Sequence, residues 1–121
     1  MTEQRTHWTP QQTVDAMTRL GVELDNLVAA LESADDEAVK LRAEYDLAFA
    51  KVYLAQEVGS VDSRKQRAVA ETYQPRLSAD VADARVRHLR RKLDATKLRL
   101  DALRSIGAVV RAEAGLAGYQ P

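Results

Sequence analysis

The sequence predicts an all-α fold: an elongated helical hairpin or bundle with a long, coiled-coil-like C-terminal helix. Charged residues make up 30% of its 121 residues and aromatic residues only 5%, a composition typical of amphipathic helices around an aliphatic core. Five glycines and three prolines are too few for the many turns of a β fold. The C-terminal third carries a nearly unbroken heptad repeat, which indicates a long helix with one apolar seam. The length is that of a single domain, residues 1–121.

The first helix is expected over residues 10–33, after a flexible start at residues 1–8. Thr9 can cap it, Pro10 suits the first helical position, and Gln12 completes a capping box. Apolar residues then recur at alternating spacings of three and four, as on one face of a helix. They are Val14, Met17, Gly21, Leu24, Val28 and Leu31.

A second helix is expected over residues 36–57, because Ser33 and Asp36 resemble another capping box. No glycine or proline enforces a break there, so one continuous helix remains an alternative, although the pattern favours a break or kink. One face of this helix is predicted to carry Ala43, Leu47, Ala50 and Leu54, with Tyr45, Phe49 and Val52 beside them on a broader apolar side.

A short third helix is expected over residues 61–72, capped by Ser60 after Gly59. Pro75 is expected to break the chain again. The fourth helix then spans residues 79–113 with Ser78 as its cap, and residues 115–121 form a flexible tail. Its heptad seam, a core or oligomer contact, comprises Ala79, Ala82, Val86, Leu89, Leu93, Thr96, Leu100, Leu103, Gly107 and Val110.

The length of the last helix predicts elongation and self-association. About 35 residues at 1.5 Å each span roughly 52 Å, whereas a compact chain of this size has a diameter of about 35 Å. The helix therefore exceeds any globule that the chain can form. Its exposed seam ends predict a homo-oligomer.

The chain offers little material for catalysis, so we expect neither an enzyme nor a cofactor. It contains no cysteine and only two histidines, His7 and His88, too far apart in sequence to predict a metal pair. The acids Asp35, Asp36 and Glu37 are explained by helix capping rather than by a metal site. No apolar run is long enough to span a membrane, and the N-terminus lacks the apolar stretch of a signal peptide, so a cytoplasmic location is expected.

A net charge of zero conceals an uneven distribution. Residues 1–60 hold five Lys and Arg against eleven Asp and Glu, and residues 61–121 hold thirteen against seven. The cations concentrate between Arg85 and Arg104, where Arg87, Arg90 and Arg91 are predicted to lie on the polar side of the helix. One interpretation is a phosphate-binding face. The simpler one is a solvated face, or pairing of the seam-flanking cations with Glu44, Asp46 and Glu57.

A second basic cluster follows the turn at Gly59 and consists of Arg64, Lys65 and Arg67, with Lys51 nearby in sequence. Tyr53 and Tyr73 bracket this region of the chain. Aromatic rings within a basic groove stack on bases in proteins that bind single strands, although a tyrosine on a helix is more often part of the core.

Parts of the sequence resemble the UvsY family of phage recombination mediators. The similar segments are Leu77–Asp80, then residues 100–108 at the end of the long helix, and then residues 111–115. The segment of residues 50–54 before the turn is similar in placement to that family's basic helix-to-turn segment. The resemblance covers about residues 40–115.

This resemblance implies a helical protein that assembles into rings, binds single-stranded DNA and helps to load a RecA-like recombinase onto strands covered by single-strand-binding protein. Lys51 matches one basic DNA-contacting position of the family, while Tyr53 stands at the second. Arg64, Lys65 and Arg67 are the expected replacements. The resemblance also makes the C-terminal helix the assembly element.

Two functions are therefore expected from the sequence. The first is a phage or prophage recombination mediator or accessory protein that binds single-stranded DNA as a homo-oligomer. The alternative is a structural or adaptor coiled coil, of the virion assembly or scaffold type, without nucleic-acid binding. Solvent exposure of Arg87, Arg90 and Arg91 discriminates between them.

Overall fold

The computed structural model describes residues 8–118, which form three helices. α1 spans Pro10–Leu54, α2 spans Val61–Glu71 and α3 spans Tyr73–Gly118. No strand occurs in this described range, and the predicted all-α class with a long C-terminal helix is confirmed. The predicted flexible residues 1–7 and 119–121 lie outside the described residues.

The start of α1 follows the predicted capping box. The Thr9 N–H donates to Gln12 Oε1 at 2.9 Å, and the Gln12 N–H donates to Thr9 Oγ1 at 3.2 Å. These two bonds satisfy backbone donors that have no partner within the helix.

The predicted break between residues 33 and 36 is wrong, since α1 continues unbroken to Leu54. Ala34 and Ala38, one turn apart, are both buried, so the buried face of the helix runs straight through the proposed break. Nearby acids do cap helices, but their effect of about 1 kcal/mol does not outweigh continuous packing and hydrogen bonding.

The predicted boundaries around Pro75 are also wrong. Only Thr72 separates α2 from α3, and Pro75 lies in the first turn of α3. A proline is tolerated there because the first N–H groups of a helix have no intrahelical partner. Ser78 is consequently an exposed residue within the helix rather than its cap, and α3 continues past Gly115 to Gly118 instead of ending at residue 113.

The chain divides into two compact units. The central unit is Ala29–Arg90, and the terminal unit contains the described residues up to Val28 and from Arg91 onward. The prediction of a single domain stays a prediction.

Ion pairs join α1 to α3 in the central unit. Arg42 on α1 pairs with Asp80 at 2.9 Å and with Asp83, both on α3, while Arg90 on α3 pairs with Asp35 on α1 at 3.5 Å. This order of contacts makes α1 and α3 antiparallel within the unit.

The central unit has a core of small side chains. Its buried apolar residues are Ala34, Ala38, Ala68, Ala79, Ala82, Val86 and Leu89.

In the terminal unit, α1 and α3 approach closely at Gly107. A Cβ added to Gly107 would lie 3.0 Å from Thr13 Cγ2. Thr13 and Thr96 are buried, and each hydroxyl donates to the carbonyl oxygen four residues earlier, at 3.1 and 2.9 Å. Such bonds satisfy a buried hydroxyl within its own helix. The remaining buried apolar residues of this unit are Ala16, Leu27, Leu103 and Val110.

Candidate nucleic-acid interface

The turn between α1 and α2 positions the first group of predicted DNA-binding residues. Ser60 caps α2, and its hydroxyl accepts a bond from the Ser63 N–H at 3.1 Å. Gly59 has a φ of 116°, a left-handed conformation that favours glycine. The chain therefore reverses sharply and places α2 beside the end of α1.

Arg67 holds this turn together. Its Nη2 donates to the Val58 carbonyl at 2.8 Å and to Ser63 Oγ at 3.1 Å. A guanidinium engaged with a backbone carbonyl is only partly available to a ligand. Arg67 therefore has a structural role in the turn in addition to the predicted binding role.

Arg64 is packed rather than free. Its guanidinium carbon lies 5.8 Å from the centre of the Tyr53 ring, a distance at which a cation and an aromatic face attract each other. The Gln56 side chain donates to the Arg64 carbonyl at 3.0 Å. Arg64 Nε and Gln56 Oε1 are buried atoms without a hydrogen-bond partner in the described part of the chain.

Tyr53 is the last member of an aromatic row on α1. The Tyr45 and Phe49 ring centres are 6.2 Å apart, and those of Phe49 and Tyr53 are 6.3 Å apart. All three rings are half-buried, so Tyr53 combines packing with partial access to solvent. The second predicted stacking residue, Tyr73, is exposed and lies 5.6 Å from the guanidinium carbon of Arg76.

Lys51 and Lys65 are the least engaged cations of this region. Both side chains are exposed, and neither forms an ion pair within residues 8–118. Within a single chain, both can contact a phosphate without loss of an ion pair among the described residues.

The basic stretch of α3 begins in the central unit. Arg85 and Arg87 are exposed and form no ion pair with any described residue, whereas Arg90 pairs with Asp35. Arg87 and Arg90 line one shallow groove between α1 and α3, together with Arg42. Two of these three guanidinium groups are already paired with carboxylates, which leaves Arg87 as the free one.

The stretch continues in the terminal unit with exposed Arg91, Lys92, Lys97 and Arg99. None of the four forms an ion pair in the described range, where the remaining pair joins Arg104 to Asp101 at 3.2 Å. The acids considered as partners from sequence, Glu44, Asp46 and Glu57, form no ion pairs with the described residues either.

The heptad seam of α3 is packed within the chain. In the central unit Val86 and Leu89 are buried. In the terminal unit Leu103 and Val110 are buried, and Leu93 and Leu100 are half-buried. Since α1 is the neighbouring helix in both units, a homo-oligomer, which stays a prediction, needs a surface other than these side chains.

Sequence reasoning missed the role of Arg42, which joins two aspartates of α3. The pKa of Arg42 is raised above its ordinary value, mainly by the hydrogen bond to Asp80 and next by the hydrogen bond to Asp83. A raised arginine pKa means that the two carboxylates favour the charged form of Arg42. The spacing of Asp80 and Asp83 on one helix face was the available signal.

The described residues contain neither a metal-binding cluster nor a membrane-spanning helix. No group of three or more His, Cys, Asp or Glu residues there is arranged to hold a metal ion. None of the helices in this range combines the length and apolar character needed to cross a membrane.

Comparison with known proteins gives no match. The sequence matches no protein-family model and no curated protein, and no solved structure matches the chain.

Proposed function

We propose that this chain binds single-stranded DNA as a homo-oligomer and acts as a recombination mediator or accessory protein. The observation that carries the proposal is the set of exposed cations without an ion-pair partner among residues 8–118. They include Lys51 and Lys65 near the turn, Arg85 and Arg87 in the central unit, and Arg91, Lys92, Lys97 and Arg99 in the terminal unit. Help in loading a RecA-like recombinase and a phage or prophage origin rest on the UvsY resemblance alone, and a cytoplasmic location remains part of the proposal.

The mechanism is electrostatic. Each cation that neutralises a phosphate releases condensed counterions, so binding weakens as salt rises. Tyr53 supplies a half-exposed ring beside Arg64 on which a base can stack. A homo-oligomer repeats this modest patch, and multivalency converts weak contacts into useful avidity.

The test is fluorescence anisotropy of a labelled single-stranded oligonucleotide at several salt concentrations. We expect the double variant Lys51→Ala, Lys65→Ala to bind more weakly and to lower the slope of log affinity against log salt by at most about 1.4 for each chain in contact with the strand, since each single-strand phosphate contact contributes about 0.7. Both lysines are exposed, so their loss leaves the fold intact.

Lys40→Ala is the matched control, because Lys40 is also an exposed lysine of α1 but lies away from the turn. Equal affinities for the double variant and this control would remove Lys51 and Lys65 from the interface. An absence of binding by the original chain at low salt would overturn the proposed function.

A second candidate, a structural or adaptor protein, is favoured by one observation. Leu47 and Leu54 on α1 are 57% and 79% exposed, and exposed apolar patches of this kind mark protein contacts. This candidate requires no nucleic acid. Failure to bind DNA at low salt, combined with stable association with other protein chains, would favour it over the mediator.

A further inference from the structure

An apolar stripe on α1 faces solvent in the central unit. It consists of Ala43, Leu47, Ala50 and Leu54, all of them exposed, and is called the outer stripe below. The sequence placed these four residues on one apolar side together with Tyr45 and Phe49. That prediction is wrong because Tyr45 and Phe49 lie towards the opposite face of α1 and are half-buried, and aromatic rings bury more area than alanine and leucine.

We propose that the outer stripe is a contact between two copies of this chain, which pair α1 against α1 in antiparallel orientation about a two-fold axis. This inference rests on the homo-oligomer in the proposed function, to which it assigns a surface. It does not require that the chain bind DNA.

The spacing of the outer stripe is that of a coiled-coil seam. Its members follow one another at four, three and four residues, so they form a continuous row along a helix that pairs with another helix. A packed interface between helices requires side chains of one copy to fill the spaces of the other.

The alternation of small and large side chains selects the antiparallel orientation. In an antiparallel pair, Leu47 lies opposite Ala50 of the second copy, and Leu54 lies opposite Ala43. Every layer then contains one alanine and one leucine, and a single distance between the helices suits all four layers. A parallel pair in register would alternate Leu–Leu layers with Ala–Ala layers and leave voids at the alanines.

The charges beside the outer stripe are complementary to a second copy in this orientation. Glu44 and Lys51 are exposed on the same flank, one heptad apart, and neither forms an ion pair within the described chain. The two-fold axis places Glu44 of each copy near Lys51 of the other. Such pairs contribute little affinity when exposed, but they favour one orientation over another.

Two heptads form a short interface, so we expect a reversible dimer whose population depends on concentration. Sedimentation velocity over a range of concentrations should show the original chain moving from monomer to dimer or larger species. Leu47→Glu should remain monomeric under the same conditions, because it buries a charge in the centre of the interface.

The matched control for Leu47→Glu is Leu98→Glu, since Leu98 is 70% exposed on α3 in the other unit. It should self-associate like the original chain. Circular dichroism verifies that both variants are folded. A monomeric original chain at all concentrations, or equal association of the two variants, would overturn the proposed interface.

Orientation is tested by cross-linking, which is simple because the chain contains no cysteine. Under oxidising conditions, a mixture of the Ala43→Cys and Leu54→Cys variants should form a disulfide-linked dimer that neither variant forms alone. In the antiparallel pair, two copies of the same cysteine lie roughly 16 Å apart along the helix axis, beyond the reach of a disulfide. Efficient cross-linking of Ala43→Cys with itself would show a parallel pair, and no cross-link in any sample would remove the outer stripe from the interface.

Failure of this inference is separable from failure of the proposed function. If the chain binds DNA in a salt-dependent manner and the Leu47→Glu variant is still oligomeric, the proposed function is retained and this surface is rejected. Dimerisation through the outer stripe without DNA binding would retain this surface and reject the mediator.

Discussion

Gly107 shows at the scale of one residue how closely the helices of the terminal unit approach each other. A Cβ at this position would meet the Cγ2 of buried Thr13 at 3.0 Å, whereas a Cβ at Gly21 would meet nothing within 4 Å. Both glycines are within helices, where alanine is intrinsically favoured over glycine by about 1 kcal/mol. Substitution by alanine therefore brings the same gain in helix propensity at both sites, and the sites differ only in the space available to the added methyl group.

We expect Gly107→Ala to be less stable than Gly21→Ala by about 1–3 kcal/mol, the usual cost of overpacking a close contact. Gly21→Ala should itself stabilise the chain by up to about 1 kcal/mol. Chemical denaturation of the two variants and the original chain measures the difference. Equal stabilisation by both substitutions would show that Thr13 moves aside without cost.

At the level of a whole helix, the proline near the start of α3 affects both the folded helix and the unfolded chain. Pro75 occupies the first turn of α3, where it removes no intrahelical hydrogen bond. It also restricts the unfolded chain, which stabilises the native state by about 0.4–1 kcal/mol.

Pro75→Ala should therefore destabilise the chain by no more than about 1 kcal/mol. The substitution Ala84→Pro, at an exposed position within the same helix, should cost about 3 kcal/mol or more. The proline removes a backbone hydrogen bond of the helix and its ring clashes with the preceding turn. Urea denaturation monitored by circular dichroism compares the two variants. A more stable Pro75→Ala would mean that this proline strains the junction after Thr72.

The elements themselves were largely predictable, but their boundaries were not. The Thr9 capping box and the Ser60 cap are local hydrogen bonds between residues three apart, which a sequence shows directly. The absence of a break near Ser33 depends instead on the burial of Ala34 and Ala38 in the central unit. Local signals cannot report such tertiary packing.

The candidate site was predictable only in part, for the same reason. The positions of Lys51 and Lys65 on polar surface follow from helix periodicity. The engagement of Arg67 with the Val58 carbonyl and of Arg90 with Asp35 depends on which segments meet in space. Sequence therefore identified the cations but not which of them are already occupied.

The charge balance of the whole chain limits any binding to DNA. A formal net charge of zero provides no long-range attraction to a polyanion, so affinity must come from local contacts. In the proposed complex, exposed acids such as Asp46 and Glu57 would repel a phosphate backbone.

We expect the double variant Asp46→Asn, Glu57→Gln to bind single-stranded DNA more tightly at low salt, because it removes two negative charges that form no ion pairs among the described residues. The gain should diminish as salt screens the repulsion. Anisotropy titrations at two salt concentrations measure it. An unchanged affinity at low salt would place these acids far from the bound strand.

The alanine-rich core of the central unit makes tolerance of mutation asymmetric. Ala34, Ala38, Ala68, Ala79 and Ala82 are buried, and shortening an alanine removes only one methyl group. Enlarging one of them pushes apart two helices that pack around it, at a cost of about 1–3 kcal/mol. Sequence drift in this unit is therefore restricted to small residues along one face of each helix, while the solvent-facing positions remain open to the changes by which a new binding surface evolves.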